Sequence, residues 1–118
     1  MDKPIQMDKE DVNPEYSENE PSFEHLSRMS GAVLLEFGTP WCGHCQTAQP
    51  AIKKSLASYP KLPHIKVYDG KGKLLGRAYS VKLWPTLILL ENGQELARLV
   101  RPVQTVEIDD LLNACITL

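Results

Sequence analysis

The chain has 118 residues, a formal net charge of −2, and 42% hydrophobic residues. That length gives one domain with a modest core, and the near-neutral balance offers no electrostatic case for nucleic acid or an anionic membrane surface. Three cysteines are too few for a disulfide framework, and no run after Met1 is apolar enough for a signal segment or a bilayer span, so a reducing, cytoplasmic location is expected.

Residues 1–20 set seven acidic side chains against Lys3 and Lys9, a local balance of −5 that leaves +3 for the remainder. Pro4, Pro14 and sparse apolar residues make this an acidic, largely disordered tail, with room for a short edge strand at Ile5-Gln6-Met7 or Glu15-Tyr16-Ser17. The folded domain is read as residues 21–118. Phe23, Leu26 and Met29 share one helix face between Pro21 and Gly31. Ala32-Val33-Leu34-Leu35-Glu36-Phe37 is the near-continuous apolar run of a strand covered on both faces, and Glu36 interrupts it. Cys42 to Ser58 reads as a helix with Cys45, Ala48, Ile52, Leu56 and Tyr59 as its buried stripe and Pro50 in its interior. His64–Asp69 is a second strand and Lys73–Tyr79 a short helix. Leu87–Leu90 is another buried strand, Asn92-Gly93 a two-residue hairpin turn, and Glu95–Arg101 the partner strand. A last helix from Thr105 places Ile108, Leu111, Leu112, Cys115 and Ile116 on one face. This order predicts an α/β fold whose mixed central sheet joins a parallel βαβ crossover to an antiparallel hairpin, with helices on both faces.

The stretch Trp41-Cys42-Gly43-His44-Cys45 falls at a strand-to-helix junction. Two cysteines separated by two residues there can close into a small ring and reopen with little backbone movement. A cysteine at a helix N-terminus meets unpaired N–H groups and the positive end of the dipole, which favour thiolate, the species that attacks disulfides. The alternatives are a structural disulfide or half of a zinc site. Zinc wants about four ligands, and no second cysteine pair exists. Cys115, on the apolar stripe of the last helix, reads as a small buried hydrophobe. His25 and His64 read as ordinary surface or strand-edge residues, and Tyr68 and Tyr79 as packing.

Over roughly residues 21–118 the chain resembles the thioredoxin family. The resemblance is carried by Leu34-Leu35-Glu36-Phe37, the Trp41–Cys45 motif, Pro50 five residues beyond Cys45, Lys66, Tyr79, Trp84-Pro85-Thr86 and Asn92-Gly93. It implies a thioredoxin fold of four to five strands and thiol–disulfide exchange, with Cys42 as the nucleophile and Cys45 as the resolving thiol. It also implies a cis Pro85 facing the cysteines, with the Trp84 backbone offered to an extended substrate as a strand edge. Trp41, Gly43, Trp84, Pro85 and Thr86 form the implied substrate-binding set, with core packing an equal reading for Trp84. The implied partners are disulfide-containing proteins. The chain has no glycine-rich phosphate loop and no flavin or metal motif, so the electron donor is expected to be a reductase or a small thiol. No cofactor, metal, nucleic acid or membrane is expected, and a monomer is.

Three positions depart from the thioredoxin pattern. His44 stands where thioredoxins usually carry Pro and is similar to the protein disulfide isomerase family; an imidazolium beside the Cys42 sulfur would make the pair more oxidising. Glu36 stands where the buried carboxylate is commonly Asp. Burial should raise its pKa and suit it to take a proton from Cys45 through water, with Lys66 as counter-charge; a carboxylate merely satisfied by local hydrogen bonds is the alternative. Gly38 stands where a Trp is usual, which should leave space beside the active turn and widen the substrate range. The expected activity is reduction of protein disulfides. A disulfide oxidase or isomerase, favoured by His44, stays open, as does a non-catalytic binding module that docks partners through Trp41, Trp84 and Pro85.

Overall fold

The alternation of apolar runs and helical stripes reappears in three dimensions almost element for element. A computed structural model of the chain describes residues 15–116. Its elements are α1 (Phe23–Ser27), β1 (Ala32–Gly38), α2 (Gly43–Leu56), β2 (His64–Tyr68), α3 (Leu74–Ala78), β3 (Thr86–Glu91), β4 (Gln94–Val100) and α4 (Thr105–Ile116). The sheet runs β2-β1-β3-β4, with β1 parallel to β2 and antiparallel to β3, and β3 antiparallel to β4. β1 and β3 are the central pair and are covered on both sides, which is why their sequences are apolar nearly throughout.

The two-residue period of β1 divides the core. Leu34 joins Ala48, Ile52, Leu87, Ile108 and Leu112 on the side covered by α2 and α4. Val33, Leu35 and Phe37 join Leu26, Val67 and Leu75 on the side covered by α1 and α3. Each such leucine, fully withdrawn from water, contributes roughly 1.5–3 kcal/mol. Glu36 follows the parity of Leu34 and therefore projects toward α2.

Asn92 and Gly93 both take left-handed φ values, 53° and 81°, as a tight hairpin between β3 and β4 requires. Helix α2 continues through Pro50, whose missing N–H leaves the Gln46 carbonyl without its intrahelical donor. Ser17 makes an isolated parallel bridge to Val67: its N–H donates to the Lys66 carbonyl at 3.1 Å and its carbonyl accepts from Tyr68 N–H at 2.9 Å. That bridge ties the chain around Tyr16 to the outer edge of β2. The Ile5-Gln6-Met7 stretch and the Cys115 side chain lie outside the described residues. No helix among those described is long and apolar enough to cross a membrane.

Candidate active site

β1 ends by feeding Gly38 and Thr39 into a short turn, and Cys42 is the N-cap of α2, with extended φ and ψ of −81° and 125°. No side chain caps that end, so the first-turn N–H groups are left to the sulfur. Both cysteines are free thiols, Cys42 half-buried and Cys45 buried. Burial pushes the Cys42 thiol up, but the Cys45 and His44 N–H groups, the Cys45 thiol and the Arg101 charge together hold it below the usual thiol value. Cys45 is pushed up to about 11, by burial first and by the Cys42 sulfur, against the Thr39 N–H and the Tyr16 hydroxyl. The two sulfurs are thus driven apart, one toward thiolate and its neighbour toward thiol.

Beneath Cys45 lies a polar cluster built by strand parity. His64 and Lys66 are two apart on β2, and the register pairs Glu36 with Lys66, so all three side chains rise on the α2 side of the sheet. His64 Nε2 stands 2.8 Å from Glu36 Oε1, with both side chains fully buried. The reading of His64 as a surface or edge residue is therefore corrected: the β2 period carries it inward. Lys66 Nζ donates to Gln49 Oε1 at 2.8 Å and lies 4.4 Å from the Tyr16 ring centre. The direct partner of Glu36 is thus His64, and Lys66 acts on it as a charge. Gln49 Nε2 closes the cluster by donating to Glu36 Oε2 at 2.8 Å and to the Cys45 carbonyl at 3.0 Å.

Burial pushes the Glu36 carboxyl up, but the hydrogen bond and charge of His64, the charge of Lys66 and the Tyr16 hydrogen bond outweigh it and hold the group below its ordinary value. The anticipated rise is reversed because burial dominates only where a carboxylate lacks donors.

Gly38 supplies a second correction. A Cβ built on it would sit 2.5 Å from Cys45 Sγ and 2.8 Å from the Tyr16 hydroxyl. The space that a missing Trp should have opened is filled by Tyr16, whose hydroxyl donates to Glu36 Oε2. A cleft of about 190 Å³ remains open between Tyr16, Cys45, Gln49 and Lys66.

Above the sulfurs, Trp41 is 64% exposed. Its Nε1 donates to the Tyr68 hydroxyl at 2.9 Å, and its ring meets Trp84 edge-on with centres 5.7 Å apart. Trp84 is half-buried, with Nε1 donating to Asp69 Oδ2 at 2.9 Å. Gly76 makes that possible, since a Cβ there would fall 2.3 Å from Asp69 Oδ1. The Trp84–Pro85 peptide is cis. The Trp84 carbonyl accepts from Arg101 Nε at 2.8 Å, so this acceptor is covered rather than offered freely. Thr86 is buried and its hydroxyl donates to the Leu83 carbonyl at 2.7 Å; Gly43 and His44 are exposed.

The sequence pattern of the thioredoxin family matches residues 15–114. The chain belongs to the thioredoxin family. The thioredoxin of Chlamydia trachomatis serovar D is 37% identical to it over 71 residues, 60% of this chain and 70% of that protein. Protein disulfide-isomerase A4 of Bos taurus is 33% identical over 82 residues, 66% of this chain but only 13% of that much longer protein. Thioredoxin 2 from Pseudomonas aeruginosa PAO1, solved in its reduced form, superimposes with a TM-score of 0.78 at 44% identity, covering 86% of this chain and 94% of that one. The four-stranded mixed sheet with helices on both sides is the thioredoxin fold, and the chain is a thioredoxin-family redox protein. Within it, Tyr16, Gln49, His64 and Arg101 are site residues that sequence reading passed over. His64 and Gln49 did leave signals, the first by its parity with Lys66 and the second by standing one turn beyond Cys45.

Proposed function

We propose that this thioredoxin-family protein reduces protein disulfides through Cys42 and Cys45. The observation that carries the reading is the contrast between two free thiols: Cys42, half-exposed at the uncapped N-terminus of α2 and held below the usual thiol value, and Cys45, buried and held above it. The Cys42 thiolate attacks one sulfur of a substrate disulfide, and the other substrate sulfur leaves as thiolate and takes a proton from solvent. Cys45 then gives its proton toward Glu36 and attacks Cys42 Sγ. The mixed disulfide breaks, the second substrate thiol departs, and a Cys42–Cys45 disulfide remains. A reductase or small thiol returns the two electrons. Lys66 holds Gln49, and with it Glu36, in place for that transfer.

Trp41, Gly43, Trp84, Pro85 and Thr86 are assigned to substrate docking. Thr86 acts by fixing the Leu83 carbonyl, and Trp84 by its ring and backbone. Arg101 must release the Trp84 carbonyl before an extended substrate can pair there. A monomer acting in a cytoplasm fits this role. Turbidimetric insulin reduction with a dithiothreitol supply tests the proposal: the unaltered chain should accelerate precipitation and Cys42→Ser should not. Equal rates would leave only the docking-module reading.

A second reading, isomerase or oxidase, is favoured by His44 and by the match to protein disulfide-isomerase A4. A glutathione-buffered potential between roughly −270 mV, as in thioredoxin, and roughly −180 mV, as in the isomerase, is expected. A value at the isomerase end, together with rescue of scrambled ribonuclease, would favour that second reading.

A further inference from the structure

We infer that the phenol of Tyr16, carried in from the segment before α1, is a catalytic proton relay between the Cys45 thiol and the Glu36 carboxylate. The inference rests on the dithiol reading above and deepens it. Three observations place the group. The Ser17 bridge to β2 fixes its backbone beside Lys66. The absent side chain of Gly38 gives it room, since a Cβ there would crowd both Cys45 Sγ and the Tyr16 hydroxyl. Its ring lies under the Lys66 ammonium.

A phenol has one proton to give and two lone pairs to receive. The Tyr16 proton goes to Glu36 Oε2; Gln49 Nε2, whose two N–H bonds serve Glu36 Oε2 and the Cys45 carbonyl, stands 3.4 Å from the hydroxyl. The Cys45 sulfur is its neighbour across Gly38, where one Cβ would meet Sγ at 2.5 Å and the hydroxyl at 2.8 Å, and a lone pair of the hydroxyl is left to receive the thiol proton. Phenol and carboxylate are thus joined in the resting state, and the thiol beside them needs only to turn its proton onto the phenol.

During resolution the Cys45 S–H bond breaks and its proton forms a bond to Tyr16 Oη, while the Tyr16 O–H proton passes to Glu36 Oε2. Cys45 sulfur attacks Cys42 Sγ in the same movement, and the electron pair of the mixed disulfide leaves with the substrate sulfur. Tyr16 ends with one proton as it began, and Glu36 holds the one that Cys45 lost. Because Glu36 is held as an anion, that proton passes on through water in the cleft to the departing substrate thiolate, and re-reduction draws a fresh one from solvent. Burial and the adjacent Glu36 charge push the Tyr16 phenol well above its usual range, so no free tyrosinate forms and the two protons move together.

The test follows the full chain reacting with 5,5′-dithiobis(2-nitrobenzoate) in a stopped-flow instrument. Release of the first thiolate reports attack by Cys42, and release of the second reports resolution by Cys45. Tyr16→Phe should slow the second phase by at least about tenfold, at the modest end for general acid–base transfer because water in the adjoining cleft partly substitutes. The first phase should hold within about twofold. Glu36→Gln should slow the same phase, and the double variant should be no slower than Glu36→Gln alone. A second phase unchanged in Tyr16→Phe, or losses that multiply in the double variant, would overturn the relay. Should Tyr16→Phe fail to fold, the unaltered chain still decides: the second phase should show a curved proton inventory in mixed light and heavy water, and a straight line means a single proton and no relay. If Cys45→Ser released the second thiolate as fast as the unaltered chain, the dithiol reading itself would fall instead.

Discussion

Cys42 owes its acidity to geometry that a single substitution can probe. The Cys45 N–H cannot be removed without replacing a reacting residue, but the Arg101 charge can. A cation stabilises thiolate over thiol, so Arg101→Gln should move the midpoint of iodoacetamide alkylation upward. Because Arg101 is exposed, the rise should be under about one unit and should shrink with added salt. A midpoint that stays put at low ionic strength would remove Arg101 from the account. Gly38 is the other residue where one atom decides the outcome. In Gly38→Ala the new methyl meets Cys45 Sγ at 2.5 Å with the Tyr16 hydroxyl beside it. Overpacking of that kind costs about 1–3 kcal/mol, to be read as a lower urea midpoint with an unchanged slope.

Between β1 and β2 the pairing of Glu36 with His64 links stability to pH. The Glu36 carboxyl is held below its ordinary value of 4.5 in the folded chain. Its contribution is therefore fully present above that value and is lost as pH falls through the lower folded one. Glu36→Gln leaves His64 and Lys66 without the carboxylate charge, so roughly 3 kcal/mol should be missing at pH 7. The gap to the unaltered chain should close on acidification, as urea titrations at neutral and acid pH would show; a constant gap would deny the linkage. At this scale the sequence was largely legible. Strand and helix periods located every element, and Glu36 stood out as a carboxylate within an apolar run. His64 was legible too, because parity with Lys66 puts both on one face, yet nothing local says that the face is dry. Tyr16 was not legible. Its contact with Glu36 spans twenty residues, and the acidic stretch around it has no period from which a direction could be read.

For the molecule as a whole the open quantity is direction. His44 is exposed, and what it brings to the Cys42 sulfur is its backbone N–H. His44→Pro removes both that N–H and the imidazole, so the potential should fall toward the thioredoxin value of roughly −270 mV. Each 30 mV or so of that fall corresponds to about 1.4 kcal/mol less preference for the dithiol. An unchanged potential would mean that the fold rather than residue 44 sets the direction. The Ser17 bridge carries a practical lesson for anyone trimming the protein. Composition invites a cut just ahead of Pro21, but a fragment starting there sheds its own phenol and bares a hollow over Gly38. The smallest unit worth cloning keeps Glu15, Tyr16 and Ser17, and a fusion joined at that end needs slack enough not to tug them off the sheet.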